Sequence, residues 1–379
     1  MSAVSKTLEK ASRVTAMLGR ARRSVRRAKA HRADFYVELW NRAAAEIGAS
    51  VTETCGDLFT VTRGDAMARV MRNYTDLDGP VTLRLAGNKP QVHKLLRSQG
   101  LPTPEHLQFS LDDLSAALGF LRRHAVCVVK PAADTGAGSG VTTNVTTRAQ
   151  LYQAAIRAAG HSSELLIEQQ IAGENVRLLF LDGRLLDAVQ RCAPAVVGDG
   201  RSTIGALVRQ ANRHRLDGGH AVAQTVLKHD LDMKRTLAAQ GLSWRAIPAN
   251  GQSVRLNTVV NSNSALENVS VMDTISATIV EAGRRAVDAI GARLAGVDVI
   301  SPDLTTDLES AGGVVLEVNT TPGLYIHEGS CNGSVATAIL EACLQSSRRN
   351  SERQEEASVA IASGYSRDDS HSAGISDWA

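Results

Sequence analysis

The sequence predicts an α/β protein with more than one domain, and three observations predict it. Helical and alternating apolar periods take turns along most of the 379 residues. A short apolar strand, Val126–Lys130, runs into the Gly-rich stretch Asp134–Gly140 and returns as Val141–Val145 before a helix at Arg148–Ala159. A tight hairpin, Val176–Leu181 with Leu185–Val189 around Asp182-Gly183, is followed by a long amphipathic helix at Ile275–Leu294. Hydrophobic residues make up 43% and aromatics only 3%, so Leu, Val, Ile and Ala must fill the core. No apolar run approaches the ~18 residues needed to span a bilayer.

In chain order, Phe35, Leu39, Ala43 and Ile47 recur at helical spacing over Phe35–Ile47. Alternating runs at Val51–Thr54 and Leu58–Thr62, split by Cys55-Gly56-Asp57, predict a hairpin. Asp76–Leu85 leads to Gly87-Asn88-Lys89-Pro90, where a helix opens over Gln91–Ser98. Leu165–Glu168 starts another strand, residues 203–239 read as helical, and strands are expected at Val297–Ile300 and Val314–Val318. From Ser346 the chain turns polar, which predicts a disordered tail. The expected divisions are a basic arm at 1–32, a small N-terminal α/β domain at 33–87, subdomains at 88–165 and 166–345, and the tail at 346–379.

Charge is unevenly placed. Residues 1–32 hold ten Lys or Arg against the single acid Glu9, leaving 32 basic and 38 acidic residues for the rest. The body is therefore mildly acidic, and nothing in it points to nucleic-acid binding. Only the arm suits a polyanion; it reads as a solvated basic helix or disordered segment, with a mitochondrial transit peptide as the alternative. The five cysteines form no CxxC pair and no zinc pattern, as expected of reduced thiols in a cytoplasmic protein.

The residues that carry chemistry start with the Gly-rich turn. Gly136, Gly138 and Gly140, with Ser139 among them, let backbone N–H groups approach phosphate oxygens, and Lys130 places an ammonium just upstream. The P-loop pattern is absent, and so is GxGxxG opening a helix. A second set lies further on. Glu317 and Asn319, two apart on a strand, share a face, and Asp298 sits on a neighbouring strand. Three oxygen ligands of this kind suit Mg²⁺ completed by waters and phosphates.

Taken in order, these residues resemble the ATP-grasp family, and within it the ATP-grasp portion of cyanophycin synthetase, over roughly residues 86–340. The carriers are Asn88-Lys89, Val129-Lys130-Pro131, the Gly-rich loop, Ile167-Glu168-Gln169-Gln170-Ile171 and Gly173-Glu174-Asn175-Val176-Arg177. They continue with Val197-Gly198-Asp199-Gly200-Arg201-Ser202-Thr203-Ile204, Gly296-Val297-Asp298 and Glu317-Val318-Asn319-Thr320-Thr321-Pro322-Gly323. The resemblance implies two α+β subdomains clasping ATP. It places Lys89 and Lys130 on the ATP phosphates, Glu168, Gln169 and Ile171 along the adenine, and Glu174 on the ribose. Asp298, Glu317 and Asn319 would hold two Mg²⁺, and Arg177 would steady the oxyanion. The implied activity is an ADP-producing carboxylate–amine ligase acting through an acyl-phosphate on an amino acid or peptide.

Two departures from that family stand out. Leu256-Asn257 lacks the family's arginine, for which Arg255, expected on the same strand face as Asn257, is the candidate replacement, and the second, P-loop ligase half of those enzymes is not expected here. His327 is expected at the mouth of the site, as a substrate contact or a surface imidazole. Partners expected are ATP and substrates carrying a carboxylate and an amine, with homodimer formation left open and no membrane. The competing functions are an ATP-grasp enzyme with a thiol or phosphoryl acceptor, and a catalytically silent nucleotide-binding protein that docks through its basic arm.

Overall fold

A computed structural model describes residues 30–133, 140–217, 226–258, 268–328 and 334–365. The first element is a helix, α1, at residues 30–46, so Arg32, assigned above to the arm, already lies in ordered helix. Strands β1 (Ser50–Cys55), β2 (Leu58–Arg63), β3 (Ala66–Met71) and β4 (Tyr74–Thr75) follow as an antiparallel meander. The first hairpin was expected; β3 was not, because its inward side chains are Ala66, Ala68 and Val70, two of them too small to signal a strand. Trp40 is fully buried beneath this sheet and donates its Nε1–H to the Arg72 carbonyl at 2.8 Å.

Helices α2 (Pro80–Ala86) and α3 (Lys89–Ser98) come next. The Asn88 side chain caps α3 by accepting the Gln91 N–H at 3.1 Å, and Pro90 occupies the first turn, where no N–H is needed. The central sheet then assembles from β5 (His106–Phe109), β6 (Cys127–Pro131), β7 (Thr142–Val145) and β8 (Leu165–Gln169), in the order β5-β8-β6-β7. Helices α4 (Leu114–His124) and α5 (Arg148–Ala159) cover it, burying Phe120 and Leu151 against Val129 and Ile167. The boundary expected at 165 thus cuts β8, which belongs wholly to this sheet. Strand β5 and helix α4 were not expected; β5 alternates weakly, with only Phe109 buried.

The larger sheet has the order β13-β10-β9-β14-β15. Strands β9 (Glu174–Leu181) and β10 (Arg184–Arg191) turn through Asp182 and Gly183, both at positive φ, as a two-residue hairpin requires. A small lobe interrupts the sheet: β11 (Ala195–Val197), α6 (Ile204–Asp217), α7 (Leu231–Ala239) and β12 (Ser253–Arg255). Its own core joins Ile204, Met233, Val254 and Leu256. Strand β13 (Asn268–Ser270), helix α8 (Ala277–Ile290), and strands β14 (Leu294–Ser301) and β15 (Val314–Asn319) complete the sheet. Val92 and Leu96 of α3 share its core with Val176 and Ile279, so α3 rests on the C-terminal sheet rather than on the central one.

The last helix, α9 (Val335–Tyr365), corrects the expected tail: helix continues 19 residues past Ser346. Ser, Ala, Glu and Arg dominate that stretch and proline is absent, so polarity there marks a solvated helix rather than lost structure. The start of α9 packs on Trp40 and Val61, joining the N-terminal sheet to Leu181 and Leu294 in one core. No helix among the described residues is long and apolar enough to cross a membrane.

Candidate active site

A cleft of about 1100 Å³ opens between the central and C-terminal sheets. Lys89, Lys130, Glu168, Gln169, Ile171, Glu174, Arg177, Arg255, Asp298, Glu317 and Asn319 all line it, so eleven of the residues singled out from the sequence converge. Gly140 does not line it; its positive φ sits tight against the Pro131 ring. Gly136, Gly138 and Ser139 lie outside the described residues.

On the central-sheet wall, Val128 of β6 is directly opposite Glu168 of β8, which puts Lys130 on the diagonal of the same face. Its Nζ meets Glu168 Oε2 at 2.6 Å, and both side chains are more than 90% buried. Glu168 Oε1 has no hydrogen-bond partner among the described residues, although His93 Nδ1 stands 4.0 Å away. His93 is itself fully buried. Its Nε2 faces the Leu316 carbonyl at 3.0 Å, which must accept, so that nitrogen carries the proton. Burial pushes the His93 pKa down to about 4, Lys130 adds to the shift, and Glu168 opposes it.

On the opposite wall, Asp298 of β14 is paired in register with Arg177 of β9 on one side and Glu317 of β15 on the other. Arg177 donates to both carboxylate oxygens, from Nε at 2.7 Å and from Nη2 at 2.6 Å. Arg191 adds Nη1 at 3.9 Å from the same carboxylate. Burial opposes the charge on Asp298, yet Arg177 and then Arg191 hold its pKa below the ordinary carboxylate value. Burial likewise opposes the charge of Arg177, and Asp298 outweighs it and raises its pKa. Arg191 is further from the carboxylate, and burial together with Arg177 pulls it down to about 10. Gly296 makes room for this arrangement, since a Cβ there would come within 3.3 Å of Arg177 Cδ.

Between the walls, Lys89 Nζ meets Glu317 Oε1 at 3.2 Å, and the Asn319 amide donates to the Gly296 carbonyl at 3.4 Å. Glu174 accepts from Gln190 Nε2 at 2.7 Å. Among the described residues no three His, Cys, Asp or Glu side chains cluster as an all-protein metal cage. Asp298, Glu317 and Asn319 instead offer two carboxylates and an amide. Arg177 uses one acceptor direction on each Asp298 oxygen, leaving the second of each available.

Two expectations need correcting. His327 is neither a substrate contact nor a surface imidazole; it is fully buried, with Nδ1 at 2.7 Å from the buried carboxylate of Asp187. Asn257 and Arg255 do not share a face, because β12 ends at Arg255. Arg255 is exposed in the cleft, whereas Asn257 is buried and donates to Asp232. Arg191, Arg32, Tyr36 and Tyr325 also line the cleft and were not singled out. Arg191 was out of reach of the sequence: a bulge between Leu185 and Asp187 shifts the hairpin register by one and sets Val189 rather than Ala188 opposite Arg177, which brings Arg191 onto the same face.

No protein-family model matches the chain. It is 28% identical over 278 residues to a cyanophycin synthetase from Trichormus variabilis, covering 72% of this chain and 31% of that protein. It is 29% identical over 277 residues to a glutathione biosynthesis bifunctional protein, GshAB, from Streptococcus thermophilus, covering 71% of this chain and 37% of that one. The chain thus spans about a third of the length of the curated relatives it matches. A crystal structure of a bifunctional glutathione synthetase from Pasteurella multocida superposes with a TM-score of 0.54 at 24% identity, covering 80% of this chain and 43% of that one. The fold is the ATP-grasp fold that the sequence motifs imply, and the likeness to cyanophycin synthetase holds over about 72% of the chain.

Proposed function

We propose that this chain of ATP-grasp fold is an ATP-dependent carboxylate–amine ligase that releases ADP and phosphate. The observation that carries the reading is the pairing of cations and carboxylates along one cleft: Lys130 on Glu168, Lys89 on Glu317, and Arg177 on Asp298. Lys89 and Lys130 are the phosphate contacts. Gln169 and Ile171 flank the adenine, and the unpartnered Glu168 Oε1 is a buried acceptor suited to its exocyclic amine. Glu174 takes the ribose hydroxyls.

Asp298, Glu317 and Asn319 fit a divalent metal and would hold Mg²⁺, two ions in this reading. Such ions offset negative charge on the transferring phosphoryl group. The substrate carboxylate oxygen attacks the γ-phosphorus; the bond from that phosphorus to the bridging oxygen breaks and ADP leaves. The amine then attacks the acyl carbon, phosphate departs with the carbon–oxygen electron pair, and the amine loses a proton. Arg177 is oriented for this step: Nε and Nη2 are fixed on Asp298, and Nη1 makes no hydrogen bond among the described residues. It is therefore placed to donate to the oxyanion. Arg255, exposed at the cleft, is the second candidate for contact with the acceptor.

Hydroxylamine, supplied as a surrogate amine with Mg²⁺, ATP and a panel of amino acids and short peptides, tests the reading. Hydroxamate formed in step with ADP and phosphate is expected. AMP and pyrophosphate as products would overturn it.

A further inference from the structure

Nothing in the family motifs assigns a role to the N-terminal module, yet its first helix reaches the cleft. Arg32 and Tyr36 are four residues apart on α1 and so share one face, and both line the cavity. Tyr36 is only 2% exposed. Its oxygen accepts the Leu324 N–H at 3.2 Å, which leaves the phenolic O–H without an acceptor among the described residues. The Arg32 guanidinium lies 4.9 Å above the ring of Tyr325. Tyr325 also interacts electrostatically with Arg177 and Arg191, so the helix enters the cleft beside the arginine wall. Asn73, from the same module, donates to the Thr321 carbonyl at 2.6 Å, pinning the loop that follows β15.

A buried donor aimed into a cavity, next to a guanidinium already stacked on an aromatic ring, is a site for an anionic oxygen. We infer that Arg32 and Tyr36 are specificity-determining residues that hold a carboxylate of the substrate beside the segment that follows β15. The inference rests on the ligase reading for its occupant: a ligase of this class brings a carboxylate-bearing amino acid or peptide to the metal side of the cleft. It makes the N-terminal module part of the substrate site rather than an appendage to it.

The test uses the full chain saturated with Mg²⁺ and a non-hydrolysable ATP analogue, titrated by calorimetry with L-alanine, L-aspartate, L-glutamate and tri-aspartate. For the probe that binds tightest, Tyr36→Phe and Arg32→Ala should each weaken binding roughly tenfold, the usual effect of losing one hydrogen bond to a charged group. Arg32→Lys should restore part of the loss. Affinity for the ATP analogue should stay within about twofold, a split that a merely structural role would not produce. Carboxylate affinity unchanged in both variants, an equal loss of nucleotide affinity, or no binding by any of the four probes overturns the assignment. Its failure is separable from that of the ligase reading. Carboxylate binding that depends on Tyr36 and Arg32 without hydroxamate formation defeats the ligase alone, whereas hydroxamate formed with unchanged KM in both variants defeats the assignment alone.

Discussion

On the central-sheet wall of the cleft, Lys130 has a carboxylate to itself; on the C-terminal wall, Arg177 and Arg191 share Asp298. Both sets are buried, so neither is screened as a surface pair would be. The first wall sets one cation on one carboxylate, whereas the second sets two guanidiniums about one carboxylate, with Glu317 paired beside it in register. Buried like charges persist only where something offsets them, and for Arg177 and Arg191 both Asp298 and Glu317 do so. The number of cations near each carboxylate predicts that the two walls answer differently when one is removed.

The largest effect should come from Lys130→Met. It leaves the Glu168 carboxylate buried with no cation, since the nearest other group is the His93 ring at 4.0 Å. A loss of about 3–5 kcal/mol in unfolding free energy is expected. Arg177→Met should cost roughly half of that, because Arg191, at 3.9 Å from Asp298, remains to meet the charge. Urea unfolding of the unliganded variants measures both, and the reverse order would break the comparison. Glu317→Gln comes next, acting on rate rather than on folding. Loss of an electrostatic contact to the moving phosphoryl group costs about 3–4 kcal/mol, or roughly 10²–10³ in kcat. Its pair with Lys89 is partly exposed, so about 1 kcal/mol or less of stability should go with it. If the variant unfolds while its folded fraction turns over normally, Glu317 is structural.

The motifs made one layer of this legible and left another hidden. Lys89, Lys130, Asp298, Glu317 and Asn319 were readable because each sits on a strand or cap signal: Asn88 as an N-cap, the apolar runs Val126–Lys130 and Val297–Ile300, and the alternation in Leu316-Glu317-Val318-Asn319. Helix α5 was readable to the residue. Strand β3 was hidden by its small inward alanines, and the far half of α9 by its polarity. Tyr36 and Arg32 were hidden for a different reason. Tyr36 meets Leu324 across 288 positions of sequence, and no local pattern records which loop a helix face will touch. The pairing of Arg177 with Asp298, 121 positions apart, was equally silent, though both residues had been singled out for separate roles.

The third prediction uses pH to compare the central-sheet wall with bulk solvent. His93 has a folded pKa of about 4 against an ordinary 6.5, so between those values the unfolded chain binds a proton that the native one refuses. Stability should therefore fall as pH drops from 6.5 and level off, for this group, below about 4. From pH 6.5 to 5 the contribution is about 1.6 kcal/mol. Lys130, Glu168, His106 and Arg97 all face this cluster, and His106 and His327 are also depressed by burial, so they add slope of the same sign. His93→Gln should reduce the acid sensitivity without abolishing it. An unfolding free energy with the same pH dependence in the variant would show that His93 is not a neutral buried group.

The smallest effect should come from the same residue type in the opposite setting. Arg255 is exposed at the end of β12, and its backbone is held from both sides by one glutamine: Gln240 Nε2 donates to the Arg255 carbonyl at 2.8 Å, and Gln240 Oε1 accepts the Arg255 N–H at 3.2 Å. Cutting the side chain back to alanine leaves those bonds in place, uncovers no buried charge and opens no cavity. Arg255→Ala should therefore change unfolding free energy by no more than about 0.5 kcal/mol, in contrast to the kcal/mol losses at Arg177. Its guanidinium still faces the cleft, where a charged contact made in solvent is worth little but not nothing. A rise of a few fold in KM for the anionic substrate, with the Mg-ATP affinity unmoved, is the expected signature. If Arg255→Ala instead lowers kcat by about a hundredfold while KM holds, then Arg255 acts on the transition state and the buried Arg177 is not alone in stabilising it.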